Sequence, residues 1–427
     1  MRHKDGCCIA RRFSMSQNKP LVSVIIPAYN AAAFIAATVD YIQTQTLNNF
    51  ECIIVNDGSK DSTEKLVKKS TKHDPRFRVV SHQTNKGLSA SRNTGYSLAS
   101  GRFVIFLDAD DIFEKDLLQK AAHQAKKTNA EITVFNFREY NMRKQEYSRP
   151  VIDASQLPSK TTFTLHDVNN KSVTDHRFEK LGVTVWNKLY ERTFLEQHNL
   201  LFNEQLHRSE DLEYTIRSFV LAKKITFLSE VLMTYRTEVP SSNQSTLNLY
   251  PTDFFDAFLT LIDFFRRQKL YEKYRNDIHA YIVKDICYQL QLNNPESQRL
   301  IISQAPHFLS DTKVSSSYLS GWDANTRDML YAVVEGNYDH YIQAYTRALR
   351  DEKEELILRI PPLEERIALE LTELNKYRDH PTIKTALRLL QKAIVQTQEK
   401  WKLTFGSENE RMMSCNDRVL TTRMRRI

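Results

Sequence analysis

The sequence predicts an α/β fold with a parallel sheet, followed by a helical region. Three observations carry this. Short apolar runs alternate with helix-like segments from Leu21 to Phe137, at the spacing of βαβ units. Polar clusters recur just after the apolar runs, on the carboxyl edge where open α/β sheets bind ligands. Beyond about Pro240 the apolar residues change to helical spacing.

The elements follow in order. Leu21 to Ile26 is β-rich and closes at Pro27, and Ala31 to Gln45 reads as a helix. Glu51 to Val55 is a second strand, ended by the turn Asn56-Asp57-Gly58-Ser59. Asp61 to Ser70 is a helix with Asp61 or Ser62 as cap. Phe77 to Ser81 is a strand, Ser89 to Leu98 a helix, and Arg102 to Leu107 a strand. Glu114 to Thr128 and Glu131 to Phe137 supply one more helix and strand. From Tyr140 to Leu181 polar residues dominate, as in an insertion or acceptor-side segment. Order returns at Val183 to Tyr190, in a helix from Ser209 to about Ala222, and in two strands, Ile225 to Leu228 and Val231 to Tyr235. Three apolar helical stripes follow: Phe254 to Phe265, Leu363 to Leu374, and Ile383 to Ile394.

A chain of 427 residues argues for about two or three domains. Its 41% hydrophobic and 26% charged content fits a packed globular protein. The net charge of +8 suits a polyanionic partner, such as a phosphate-bearing substrate or an anionic membrane surface. No RNA-recognition or helix-turn-helix signature supports nucleic acid as that partner. No run approaches the ~20 apolar residues of a membrane span, and no apolar leader opens the chain. The five cysteines are scattered, with no CxxC pair, so neither a zinc site nor a disulfide framework is indicated. A reduced, cytoplasmic protein is expected, with residues 1–19 a flexible tail and translation starting at Met1 or Met15.

The most informative cluster is Asp108-Ala109-Asp110-Asp111, after the apolar run ending at Leu107. Two readings are open. Three crowded carboxylates could share a divalent cation whose shell is completed by water and phosphate. They could also form a solvated acidic turn that caps the next helix.

Four motifs come in a fixed order: Val24-Ile25-Ile26-Pro27-Ala28-Tyr29-Asn30, then Val55-Asn56-Asp57-Gly58-Ser59, then Asn85-Lys86-Gly87 with Arg92-Asn93-Thr94-Gly95, then the acidic cluster. Together they resemble glycosyltransferase family 2, the inverting nucleotide-sugar transferases of GT-A fold. Trp186-Asn187-Lys188-Leu189-Tyr190 and Glu210-Asp211-Leu212 resemble the bacterial members that build capsules, lipopolysaccharide and wall polymers. The resemblance covers Pro20 to Arg236. It implies a GT-A domain over 20–240, Rossmann-like, followed by an α-helical C-terminal domain over 241–427.

The resemblance also implies roles. Asp57 reads uracil, and Pro27, Ala28 and Asn30 flank the nucleoside. Lys86 and Arg92 are cations on the phosphate edge, where a planar guanidinium matches phosphate. Asp108 contacts ribose or metal, and Asp110 binds the metal, Mn²⁺ or Mg²⁺. Asp211 is the base that deprotonates the acceptor hydroxyl, and Glu210 orients donor or acceptor. Trp186 offers a flat face to a sugar. Arg236 meets the diphosphate from a closing loop, Thr237 to Ser245. Many relatives carry Gly before the acidic pair, where this chain has Ser209.

The implied partners are a UDP-sugar donor and a glycan or lipid-linked glycan acceptor. The basic stretch Arg411 to Ile427 suits the inner membrane face, which would make the protein peripheral there. The C-terminal helices offer a surface for a homo-oligomer. Processive relatives carry a Gln-x-x-Arg-Trp element and membrane helices, and this sequence has neither. A sugar nucleotidyltransferase would need a Gly-rich loop after the first strand, which is also absent. The alternative to an active transferase is a catalytically degenerate GT-A scaffold or interaction protein.

Overall fold

The computed structural model describes residues 19–168, 177–239, 248–314, 318 and 321–352. Two compact units are distinguished, Met1–Tyr338 and Asp339–Ile427. In the second, the described residues 339–352 are helical.

The first unit is organised by one nine-stranded sheet. Its opening half follows the alternation in the sequence: β1 (Val22–Ala28), α1 (Ile35–Gln43), β2 (Phe50–Asn56), α2 (Thr63–Thr71), β3 (Phe77–Ser81), α3 (Leu88–Ser97) and β4 (Phe103–Phe106). β1 and β4 are buried at every position, which is why they read as unbroken apolar runs rather than alternating ones. These four strands pair in parallel in the order β3-β2-β1-β4.

The remainder is β5 (Ile112–Phe113), α4 (Leu117–Thr128), β6 (Ile132–Asn141), β7 (Glu146–Tyr147), α5 (Arg177–Lys180), β8 (Lys188–Glu191), α6 (Arg192–Gln197), α7 (Glu210–Leu221) and β9 (Ile225–Thr237). Here the all-parallel expectation is corrected. β8 inserts antiparallel between β4 and β6, and β5 pairs antiparallel with β9. β5 and β8 are two and four residues long, too short to carry a periodic signal. The two strands expected at 225–235 are one strand, whose register against β6 shifts near Asn136. The polar Ser229-Glu230 pair is exposed there and breaks the apolar pattern.

α3 lies close to the sheet because its inward residues are small: Ser89, Ala90, Ser91 and Gly95 are buried. A Cβ on Gly95 would stand 2.4 Å from Ile25 Cγ2 of β1. This close approach carries Arg92 into the interior.

After β9 come α8 (Asp253–Arg267), α9 (Tyr271–Leu292), α10 (Pro295–Thr312) and α11 (Ala324–Val334). The stripe expected on α8 is its buried face: Phe254, Phe255, Phe258, Leu261, Ile262 and Phe265. α8 packs on α7, and so joins the helical region to the edge of the sheet that carries the acids. The stripes at 363–374 and 383–394, the basic stretch 411–427, residues 1–18 and most of the Thr237 to Ser245 loop lie outside the described residues. Among the described residues no helix is long and apolar enough to cross a membrane.

Candidate active site

The site is assembled at the carboxyl ends of β1, β2 and β4. Pro27 and Ala28 are the last two residues of β1, which runs one residue past the stop expected at Pro27. Asn30 follows in a left-handed conformation, φ 49°, which Asn tolerates. Its Oδ1 accepts from Lys60 N at 2.9 Å, and its N–H donates to Ser59 Oγ at 3.0 Å. The loops after β1 and β2 are thereby tied together.

Asp57 is buried and does more than close a turn. Its carboxylate accepts from the N–H groups of Lys86 (2.9 Å) and Gly87 (2.8 Å), and Oδ1 lies 2.7 Å from His82 Nδ1. His82 Nε2 lies 3.0 Å from Thr94 Oγ1 of α3. Gly58 lets the two loops meet: its φ is +67°, and a Cβ there would stand 2.7 Å from Thr84 C. The side chain of Lys86 is exposed. His82 was not singled out in the sequence, where an isolated His after a strand gives no signal.

Arg92 differs most from expectation. It is 1% exposed rather than displayed on a phosphate edge. Its Nη1 donates to Asp211 Oδ1 at 2.5 Å and to Glu210 Oε1 at 3.4 Å, and its Nη2 donates to Asp108 Oδ1 at 3.0 Å. Its guanidinium carbon sits 5.1 Å above the Phe202 ring. Asn93 clamps that ring's backbone, donating to Phe202 O and accepting from Phe202 N, each at 2.9 Å. Burial alone would lower the Arg92 pKa. The charges of Asp211, Asp108 and Glu210 outweigh burial and raise it. The correction has a simple cause: a buried guanidinium must be paired, and three acids meet it.

The acidic loop is braced from several elements. Thr38 Oγ1 of α1 donates to Ala109 O at 2.6 Å. Asp111 is fully buried, and its Oδ1 accepts from Arg236 N at 2.9 Å. Arg236 Nη1 donates to Asp110 O, and its guanidinium lies 5.3 Å from the Phe34 ring centroid. Arg236 is therefore a residue of β9 that supports the acidic loop, not one delivered by a mobile segment. Burial, reinforced by the Asp108 charge, pushes Asp110 up to about 6. Burial also pushes Asp111 well up, as do Asp108 and Asp110.

Glu210 and Asp211 open α7, where a helix N-terminus favours negative charge. Burial and the Asp211 charge push Glu210 up to about 7. Asp211 Oδ2 accepts from Val185 N at 3.2 Å. Beneath it lies Lys188, wholly buried, whose Nζ donates to Thr184 O and to Asn187 Oδ1, each at 2.5 Å. Lys188 thus holds the turn that presents Val185 to Asp211. Ser209, before the acidic pair, has φ 60°. This is the left-handed conformation that suits glycine.

Trp186 is not an open platform. It is 4% exposed; Tyr235 stacks on it at 5.2 Å, and Phe137 meets it edge-on at 4.6 Å. An indole in that packing is a core residue.

Arg92, Asp108, Asp110, Glu210, Asp211 and Arg236 thus surround one centre, with Asp57 held beside it through Gly87 and α3. A family model described as glycosyl transferase family 2 matches residues 23–239, about half of the chain and the whole of this centre. The chain belongs to glycosyltransferase family 2.

Similar proteins agree. Uncharacterized glycosyltransferase EpsJ of Bacillus subtilis is 30% identical over 300 residues, which are 68% of this chain and 84% of EpsJ. Poly(ribitol-phosphate) beta-N-acetylglucosaminyltransferase TarS of Staphylococcus aureus is 25% identical over 264 residues, 60% of this chain and 43% of TarS. The crystal structure of S. aureus TarS 1-349 in complex with UDP-GlcNAc superposes with TM-score 0.59 at 21% identity, covering 77% of this chain and 92% of that one. The family-2 chain is accordingly a sugar transferase with the GT-A fold and helices after its sheet.

Proposed function

We propose that this family-2 enzyme moves a sugar, with inversion, from a UDP-sugar to a hydroxyl of a bacterial surface-polysaccharide or lipid-linked glycan acceptor. The observation that carries the reading is the joint hold of Arg92 on Asp108 and Asp211, at 3.0 and 2.5 Å. The acid at the strand end and the acid at the helix start flank one guanidinium. A donor at the first therefore lies beside a base at the second.

Asp57 supports base recognition. Its Oδ2 takes one bond, from Gly87 N, and a carboxylate oxygen has room for another donor, such as the uracil N–H. Asp211 receives the proton of the acceptor hydroxyl as that oxygen bonds to the anomeric carbon. The bond from that carbon to the diphosphate oxygen breaks on the opposite face, and its electron pair leaves with UDP. Val185 N and Arg92 orient Asp211 for this. Glu210 shares Arg92 and closes the cluster from the helix side.

A divalent cation fits the residues present. Five carboxylates gather here: Arg92 pairs with Asp108, Glu210 and Asp211, and Arg236 acts on Asp110 and Asp111. Asp111 Oδ2 is buried without a partner. Among the described residues no three acidic, His or Cys side chains stand together as a protein-only metal site. An ion held by one or two carboxylates and completed by substrate phosphate needs no such cluster. Asp108 and Asp110 would hold it, and it would supply charge stabilisation to the departing diphosphate.

We assign the helices after β9 to serving the acceptor or a second copy, and the basic C-terminal stretch to the inner membrane face. We place the enzyme in the cytoplasm, the side on which a basic C-terminus would meet the inner membrane face. The transferase reading is tested by a nucleotide-sugar panel with Mn²⁺ or Mg²⁺. Turnover of one UDP-sugar, abolished by EDTA, is expected. No response to any UDP-sugar, and no binding of UDP, would sink it.

A further inference from the structure

One polar pair beside the acids takes no part in the chemistry above. Arg208 lies on the approach to α7, and His207 N anchors that approach by donating to Asp253 Oδ2 of α8 at 3.0 Å. Asp285, on α9, is 6% exposed. Its Oδ1 receives one long bond, from Gln289 at 3.4 Å. Its Oδ2 is buried with no partner, and so is Arg208 Nη1. The two groups are near enough for their charges to act on one another, without a hydrogen bond between them. Buried polar atoms left open in this way call for a missing partner. The pair belongs beside the acids: Arg208 is two positions before Glu210 in the chain, and Glu210 acts electrostatically on it as well. Tyr288 is one turn along α9 from Asp285, on the same face, and is 54% exposed. Its hydroxyl is within electrostatic reach of Asp285, Glu139 and Arg208.

We propose that Arg208, Asp285 and Tyr288 form the acceptor subsite, and that it takes an uncharged, hydroxyl-bearing unit, a sugar ring or a polyol. One acceptor hydroxyl donates to Asp285 Oδ2. A second acceptor oxygen accepts from Arg208 Nη1. The Tyr288 ring covers a C–H face. Neutrality follows from the charges: Glu210, Asp253 and Asp285 act on Arg208, with Glu139 acting on Tyr288. Burial already pushes Asp285 up to about 7, and an added anion would push it further. A phosphate or carboxylate at Asp285 would set like charge against the acids and is disfavoured there. The inference rests on Asp211 being the base, since it places the acceptor against the first turn of α7.

The test measures transfer and hydrolysis separately, with the UDP-sugar the enzyme turns over and p-nitrophenyl glycosides as acceptors. Neutral p-nitrophenyl glucoside, galactoside or N-acetylglucosaminide should capture the sugar, and p-nitrophenyl glucuronide at least tenfold less. Asp285→Asn and Arg208→Lys should each lower the ratio of transfer to hydrolysis at least tenfold. Tyr288→Ala, at an exposed position that spares folding, should raise the KM for the neutral acceptor. Preference for the glucuronide would overturn the subsite, and so would an unchanged ratio in Asp285→Asn and Arg208→Lys with an unchanged acceptor KM in Tyr288→Ala. Hydrolysis with no capture of any neutral glycoside would mean that the open atoms of Arg208 and Asp285 bind only structural water, which also overturns it. No donor turnover by the wild type would instead remove the transferase reading, and this inference with it.

Discussion

At the scale of single residues, the site is a balance of buried charge around Arg92. Its burial was not legible in the sequence, which shows only an Arg among small residues. Asp211, its closest partner, lies 119 positions away, and no local pattern links the two. Ser209 was legible as a departure from the Gly of many relatives, and its φ of 60° explains that Gly. Ser209→Gly should therefore stabilise the protein by up to ~1 kcal/mol, the relief of left-handed strain less the added freedom of the unfolded chain. Thermal unfolding checks this, and a clear loss of stability would contradict it.

Glu210 gives a pH prediction of definite sign. Its pKa is raised from 4.5 to about 7 in the fold. Between those values the folded state binds more protons than the unfolded one, so stability is full below about 4.5 and is lost as pH rises through 7. The raised Asp110 and Asp111 act in the same direction. Unfolding temperature without metal should fall between pH 5 and pH 8, and less steeply in Glu210→Gln. Mn²⁺ should raise it more at pH 8 than at pH 5, because protonated carboxylates do not hold a cation. An equal Mn²⁺ effect at both pH values would argue against an ion at this cluster.

At the scale of elements, the buried parallel strands and the helices between them were legible because each is an apolar run or stripe bounded by turn residues. β5, β7 and β8 were not, since their pairing is decided by long-range contacts rather than by two to four residues of sequence. Trp186 shows the same limit: its stacking partner Tyr235 is on β9, and only the folded sheet brings the two rings together. The close seat of α3 on β1 gives a sharp test. Gly95→Ala pushes a Cβ to 2.4 Å from Ile25 Cγ2, and overpacking of this kind costs about 1–3 kcal/mol. Because α3 carries Arg92, activity should fall along with stability. Wild-type stability in this variant would mean that α3 seats less tightly than described.

At the scale of the whole molecule, the sheet edge that carries the acids meets α8 through α7. In the reading proposed above, strand ends supply the carboxylates for donor and cation and α7 supplies the base, with α8 packed against that helix. The donor side was largely legible, because its motifs fall in order along the first half of the chain. The proposed acceptor side was not, because Arg208 and Asp285 carry no motif and stand 77 positions apart. The most direct test of the account compares kcat and donor KM for UDP-sugar turnover in the wild type and in Asp211→Asn, with both proteins shown to be folded. Asp211 as the base predicts a kcat lower by about 10²–10⁴-fold, with donor KM changed little. A kcat within a few-fold of wild type would contradict the role of Asp211 and, with it, the placing of donor and acceptor on either side of Arg92.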